Sequence, residues 1–102
     1  PMEFRFVKAD DAWLSPFYKR DSCSISVHAA HGEAYDYLVS EIGPVFRKHG
    51  GRPHWGKLHN YSGAELAALY PRWNDFQAVR RSLDPRGRML NAHLRALFGV
   101  TG

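Results

Sequence analysis

Only one cysteine, Cys23, occurs in the 102 residues. An internal disulfide framework and a zinc site built on paired cysteines are therefore excluded. No apolar run approaches the ~20 residues that a membrane-crossing helix needs. No charged-then-apolar leader precedes the first strand pattern. The chain has no G-x-G-x-x-G or P-loop signature, no H-E-x-x-H and no G-x-S-x-G. These residues thus carry no glycine-rich nucleotide cradle, no zinc-protease helix and no hydrolase elbow. Internal repeats and low-complexity tracts are absent as well.

Six histidines are present, and His28 and His31 have a spacing that metal ligands use, with Cys23 nearby. Without a metal motif they are expected to be structural or hydrogen-bonding residues, and no metal site is expected. A hydrophobic content of 44% and an aromatic content of 14% exclude a disordered chain. At this length there is room for one domain with a modest core. The net charge of +4 would suit a polyanion. Lys and Arg are scattered rather than run together, however, so no nucleic-acid stripe is marked out. A small basic module for nucleic acid or an acidic partner stands as the alternative reading.

Two segments alternate with a period of two. In Met2–Lys8, Met2, Phe4 and Phe6 fall on one face and Glu3, Arg5 and Val7 on the other. In the second, Cys23, Ile25 and Val27 are expected inward, with Ser24, Ser26 and His28 outward. Cys23 then reads as a small core residue. Between them, Asp10, Asp11, Ser15 and Pro16 mark a long connection. The two strands are expected to be antiparallel neighbours. From Glu33 the period changes to that of a helix, with Tyr35, Leu38, Ile42, Val45 and Phe46 on one stripe ending at Gly50-Gly51. Gly43-Pro44 should kink it or split it in two. Ser62 to Glu65 is a capping-box pattern that starts a short helix through Leu66 and Leu69. A further helix is expected from Pro71, carrying Phe76, Val79 and Leu83. Asp84 to Gly87 reads as a turn, and Asn91 can cap a last helix with Leu94, Leu97 and Phe98. The fold class is α+β. A two-stranded sheet is too small to stand alone, and the chain enters a strand pattern directly at its start. It reads as part of something longer, with the missing strands upstream.

Two groups carry candidate chemistry. Glu3 and Arg5, two apart on a strand, emerge on one face within reach of one ligand. A carboxylate accepts from hydroxyls and a guanidinium stabilises developing negative charge. On the pattern alone they read as an exposed ion pair on a solvated strand face. Lys57 lies in "GGRPHWGKLHN", Gly50 to Asn60, a segment with neither helical nor strand period. Trp55 could anchor that segment while Gly56 permits an unusual backbone and Lys57 presents a fixed charge.

The stretches "EFRF", "DDAWLSP", "RDSC", "GGRPHWGKLHN" and "LDPRGRMLNAHL", in this order and spacing, resemble the C-terminal part of the sugar-1,4-lactone oxidoreductases. These are the gulono- and arabinono-lactone oxidases and the alditol oxidases, flavoenzymes of the vanillyl-alcohol-oxidase type. The resemblance covers essentially the whole chain. It implies that residues 1–102 form a single C-terminal segment: part of a substrate-binding cap domain plus C-terminal helices. It also implies an upstream N-terminal domain that binds FAD. The implied reaction is hydride transfer from a sugar lactone or polyol to flavin, with oxygen or another electron acceptor completing the cycle and no nucleic-acid partner. Glu3, Arg5 and Lys57 match the family's catalytic positions. Lys57, His54 and Asn91 match positions near the cofactor. The fragment alone is expected to be inactive and to self-associate through an apolar docking patch. Its expected location is the cytoplasm or the membrane periphery.

Overall fold

The structure is a computed structural model in which residues 2–101 are described. The chain divides into two compact units, Pro1–Asn60 and Tyr61–Gly102. In the first, β1 (Met2–Val7) and β2 (Ser22–Val27) pair antiparallel, as their alternation predicts. The connection between them is held by its own polar groups. Asp21 Oδ1 accepts from Ala9 N–H at 2.8 Å, and Asp10 Oδ2 accepts from the Ser15 hydroxyl at 2.6 Å. Asp10 and Tyr18 form a one-residue bridge.

The sheet departs from expectation in what it buries. Met2, Phe4 and Phe6 are 65, 65 and 84% exposed, and Ile25 is 44% exposed. Cys23 is exposed too, so it is not a core residue. The alternation correctly sorts side chains into an apolar and a polar face, but nothing among the described residues covers the apolar one.

The helical stripe is also corrected. Helical backbone starts at Asp36 rather than Glu33. A π-helical turn, Leu38–Ile42, runs into α1, Gly43–Lys48, with the Gly43 N–H bonded to the Leu38 carbonyl five residues back. Pro44 is the cause. It has no N–H for the carbonyl of Ser40, and its ring would crowd that carbonyl in a regular α-turn. The wider turn relieves the crowding at the expected Gly43-Pro44 break. It also rephases the helix, leaving Val45 exposed while Leu38, Ile42 and Phe46 are half-buried; Tyr35, which precedes the helix, is exposed too.

The second unit holds most of the buried apolar side chains. Its helices are α2 (Gly63–Leu69), α3 (Trp73–Leu83) and α4 (Ala92–Phe98). The capping box forms as read: Ser62 Oγ accepts from Glu65 N–H at 3.1 Å and Glu65 Oε1 from Ser62 N–H at 2.9 Å. Leu66, Tyr70, Trp73, Leu97 and Phe98 make the core. The Trp73 and Phe98 ring centroids stand 5.2 Å apart. Helix α3 uses only part of the stripe expected of it: Phe76 is half-buried, with its ring centroid 5.5 Å from that of Phe98. Val79 and Leu83 are exposed, and the buried face runs through Trp73 and Gln77. The reason is a polar tie: Gln77 Nε2 donates to the Phe98 carbonyl at 2.8 Å and Gln77 Oε1 accepts from Arg80 Nε at 2.9 Å. That tie and the Trp73–Phe98 contact rotate the helix away from Val79. Among the described residues, no helix is long and apolar enough to cross a membrane.

Close approach of α2 and α4 depends on Gly63, where an added Cβ would sit 2.1 Å from the Leu97 carbonyl oxygen. We expect Gly63→Ala to cost about 3 kcal/mol, the upper range for overpacking, against about 1 kcal/mol for Ser62→Ala through the lost cap. Thermal unfolding of both variants measures the difference. Asp84 gives a pH test. The Met89 N–H and then the Arg88 N–H, at 2.9 and 2.8 Å, hold its carboxyl below the usual carboxylate range. Its contribution is therefore complete above the unfolded value of about 3.9 and is lost as pH falls through the lower folded value. The stability gap between wild type and Asp84→Ala should narrow over that acid range, and a pH series of unfolding midpoints checks it.

Candidate functional site

The register Glu3↔Ser26 and Arg5↔Ser24 sets the site. Directly opposed residues of an antiparallel pair project to the same side, so a carboxylate, a guanidinium and two hydroxyls share one face. With Phe4, Val7 and Phe17 they line an open groove of about 450 Å³. Glu3 and Arg5 are exposed, and among the described residues neither side chain takes part in an ion pair or hydrogen bond. The surface ion pair that the strand pattern allowed does not form. Both charges are available to a third party.

Trp55 anchors its segment, and Lys57 lies exposed two residues further on. Gly50, at φ 68°, and Gly51, whose N–H meets the Phe46 carbonyl at 2.8 Å, end α1. The chain then lies along the 14–18 loop. Arg52 Nη1 donates to the Tyr18 carbonyl at 2.7 Å and to that of Pro16 at 3.3 Å, and the Trp55 indole N–H donates to the Leu14 carbonyl at 3.2 Å. His59 Nε2 lies 3.1 Å from the Trp55 carbonyl. Between these ties residues 54–57 make a tight turn, with the Lys57 N–H on the His54 carbonyl at 2.9 Å. His54 Nδ1 accepts from Gly56 N–H at 3.2 Å, which puts the ring proton on Nε2 in the neutral form. An added Cβ at Gly56 would come within 3.3 Å of that ring. Lys57 is exposed on this turn and does not line the groove.

The sequence-predicted residues thus fall in three places. Glu3 and Arg5 share the strand face. His54 and Lys57 share a turn that is tied to the loop carrying Phe17. Asn91 lies in the second unit, where its Oδ1 caps α4 by accepting from Leu94 N–H at 2.9 Å. Ser24, Ser26 and Phe17 were not singled out from sequence. Alternation puts both serines on the polar face, but only the pairing register sets them beside Glu3 and Arg5. Nothing local marks Phe17. Among the described residues, no three His, Cys, Asp or Glu side chains gather as a metal site would require.

Comparison with known proteins gives consistent matches. The family model for D-arabinono-1,4-lactone oxidase matches residues 1–97. The L-gulono-1,4-lactone dehydrogenase of Mycobacterium tuberculosis is 40% identical over 99 residues, 97% of this chain and 23% of the relative. The L-gulonolactone oxidase of Bos taurus is 40% identical over 103 residues, 96% of this chain and 23% of the relative. An alditol oxidase of a Streptomyces species is 38% identical over 97 residues, 94% and 23%. The chain therefore spans less than a quarter of the length of these relatives.

The anchoring of the 52–59 segment is testable. Arg52→Ala leaves the Pro16 and Tyr18 carbonyls without this donor and should cost about 1–3 kcal/mol, whereas Trp55→Phe, which keeps a ring but loses the N–H, should cost about 1 kcal/mol. Denaturant midpoints at unchanged slope measure both.

Proposed function

The chain belongs to the D-arabinono-1,4-lactone oxidase family, and we propose that it is the C-terminal, substrate-facing segment of an FAD-dependent oxidoreductase acting on a sugar 1,4-lactone or related polyol. The observation that carries this reading is the face formed by Glu3, Arg5, Ser24 and Ser26, on which two opposite charges stand unpaired beside two hydroxyls. A polyhydroxylated ligand asks for this mixture. Glu3 accepts hydrogen bonds from substrate hydroxyls, and the serines donate and accept as each hydroxyl requires. Oxidation of a carbinol removes its hydroxyl proton, taken up by solvent, together with a hydride. Arg5 would meet the negative charge that builds on the oxygen as the O–H bond breaks, and because Glu3 does not neutralise the guanidinium in advance, that interaction is stronger with the developing alkoxide than with the neutral alcohol.

Two donors of the first unit suit a flavin whose reduced form is anionic at its pyrimidine end: Lys57 would supply a compact positive charge and His54 an Nε2–H donor in its neutral form. Asn91, in the second unit, is considered by itself: its carbonyl oxygen is taken by the cap, which leaves its amide NH₂ as the group it could offer. When bound, FAD supplies the two-electron acceptor, with oxygen or another acceptor taking the electrons afterwards. Lys57 acts as a fixed charge whose position the Arg52 and Trp55 ties maintain.

The test uses the full-length enzyme and anaerobic stopped-flow reduction with a 1,4-lactone. Arg5→Ala should slow reduction by about 10²–10³, the usual cost of removing one preorganised donor. Glu3→Gln should weaken substrate binding and slow turnover with FAD content unchanged. Lys57→Met, which keeps the stem and removes the charge, should fold, retain FAD and reduce slowly. Lys57→Arg should rescue only in part, since a planar fork does not replace a point charge. Wild-type reduction rates in Arg5→Ala and Lys57→Met would overturn the assignment. The 102-residue segment alone should carry no flavin absorbance and oxidise no lactone.

A further inference from the structure

We propose that Phe17 is a specificity-determining residue of the groove, and that it selects a ring-closed sugar lactone over an open-chain polyol. This rests on the reading above that the groove binds a polyhydroxylated substrate. It adds which form of that substrate the groove takes.

The groove is graded along the strands. Glu3 and Ser26 stand at one end, Arg5 and Ser24 come next, and Val7 follows two residues further. The span from Glu3 to Val7 is about 13 Å of strand. The 8–21 connection leaves the sheet from the Val7 end, and Phe17 belongs to that connection. Phe4, the other aromatic residue along the groove, alternates to the opposite face, where its ring meets that of Phe6 at 6.4 Å between centroids. One end is thus built for hydroxyls and the other for a flat apolar surface, with the guanidinium between them.

Phe17 is half-buried, and its main chain is held on both sides. Its N–H donates to Ser15 Oγ at 3.1 Å. Its carbonyl accepts from the Asp10 N–H at 3.1 Å and the Arg20 N–H at 3.3 Å. The carbonyls just before and after it, of Pro16 and Tyr18, accept from Arg52. A ring mounted in this way loses little freedom when a ligand settles on it.

A five-membered lactone ring is nearly flat, and its polarised C–H bonds can lie against the negative face of an aromatic ring. An open-chain polyol offers no such surface. It also gives up torsional freedom at each carbon–carbon bond on binding, which a closed ring does not. Laid with its ring toward Phe17, a lactone points its hydroxylated side chain at Glu3 and Ser26. A ring carbinol then falls beside Arg5.

The test compares L-gulono-1,4-lactone with D-glucitol, its open-chain reduced counterpart, as reductants of the flavin in the full-length enzyme. Wild type should favour the lactone by at least about tenfold in kcat/KM. Phe17→Leu, which keeps apolar bulk and removes the flat face, should lower the lactone-to-glucitol ratio about 3–10-fold. The change should come chiefly through a higher KM for the lactone. Phe17→Tyr, which keeps a ring, should hold the ratio within about twofold of wild type. A wild-type preference for D-glucitol would overturn the inference. So would a Phe17→Leu enzyme that loses both substrates equally, as a residue that only packs the loop would, or that loses neither. If Phe17→Leu does not fold, the wild-type preference and the Phe17→Tyr ratio still decide. The two readings fail separately. Reduction by the lactone that is lost in Arg5→Ala but is indifferent to Phe17 strikes this inference alone. A flavin that neither substrate reduces strikes the assignment of a sugar substrate as well.

Discussion

Everything proposed for the first unit depends on the antiparallel register of β1 and β2. A slip of one residue would set Ile25 or Val27 opposite Glu3 and turn the serines to the other side, because side chains alternate strictly. Neither strand is held by burial, so the register is fixed by the connection. Asp21 takes the Ala9 N–H, Asp10 takes the Ser15 hydroxyl, and the Asp10 N–H bonds the Phe17 carbonyl at 3.1 Å. The chain returns through Lys19 at φ 57°, an uncommon conformation for a residue with a side chain. These acidic residues look like ordinary loop punctuation. Their work is to align two strands.

The same loop then positions the next segment. Its carbonyls at Leu14, Pro16 and Tyr18 receive Trp55 and Arg52. Arg20 donates to the Gly50 carbonyl at 3.0 Å, and Arg47 to Asn60. In the second unit Arg95 donates to the Gly87 carbonyl at 2.7 Å. These four of the fourteen Lys and Arg side chains are thus committed to main-chain oxygens, and all four are arginines, whose guanidinium can fork between two acceptors where a lysine cannot. That use of arginine explains how a segment without helix or strand holds one shape.

Where the sequence could be read and where it could not follows from the range of the forces. Alternation, the capping box at Ser62–Glu65, the Asp84–Gly87 turn and the Asn91 cap are local, and each forms as expected. The π-turn before Pro44 was half legible: proline marks the break, but how the helix absorbs it depends on the turn as a whole. The face that α3 buries was not legible, because Gln77 is drawn in by a carbonyl twenty-one residues away. Cys23 and Ile25 were misplaced for a related reason. An apolar face in a sequence signals that cover is wanted, not that it is supplied. Glu3, Arg5 and Lys57 are candidates because the resemblance matches them to family positions; the strand pattern alone reads Glu3 and Arg5 as a surface ion pair. Ser24 and Ser26 needed the register.

The spacing of Glu3 and Arg5 explains how opposite charges can share a face without cancelling. Residues two apart on a strand are separated by about 7 Å of backbone. Side chains standing perpendicular to the sheet keep that distance unless they lean together. In water such an exposed pair gains little by leaning, about 0–1 kcal/mol before the entropy of ordering two long side chains. The unpaired state is therefore inexpensive while the groove is open. On the proposed reading, a sugar-sized ligand spanning the same 7 Å would engage both groups at once and displace the water that makes their separation cheap, so that each charge would act on it in a lower dielectric than before. A closer pair would neutralise itself, and a more distant one could not meet on a single ligand of that size.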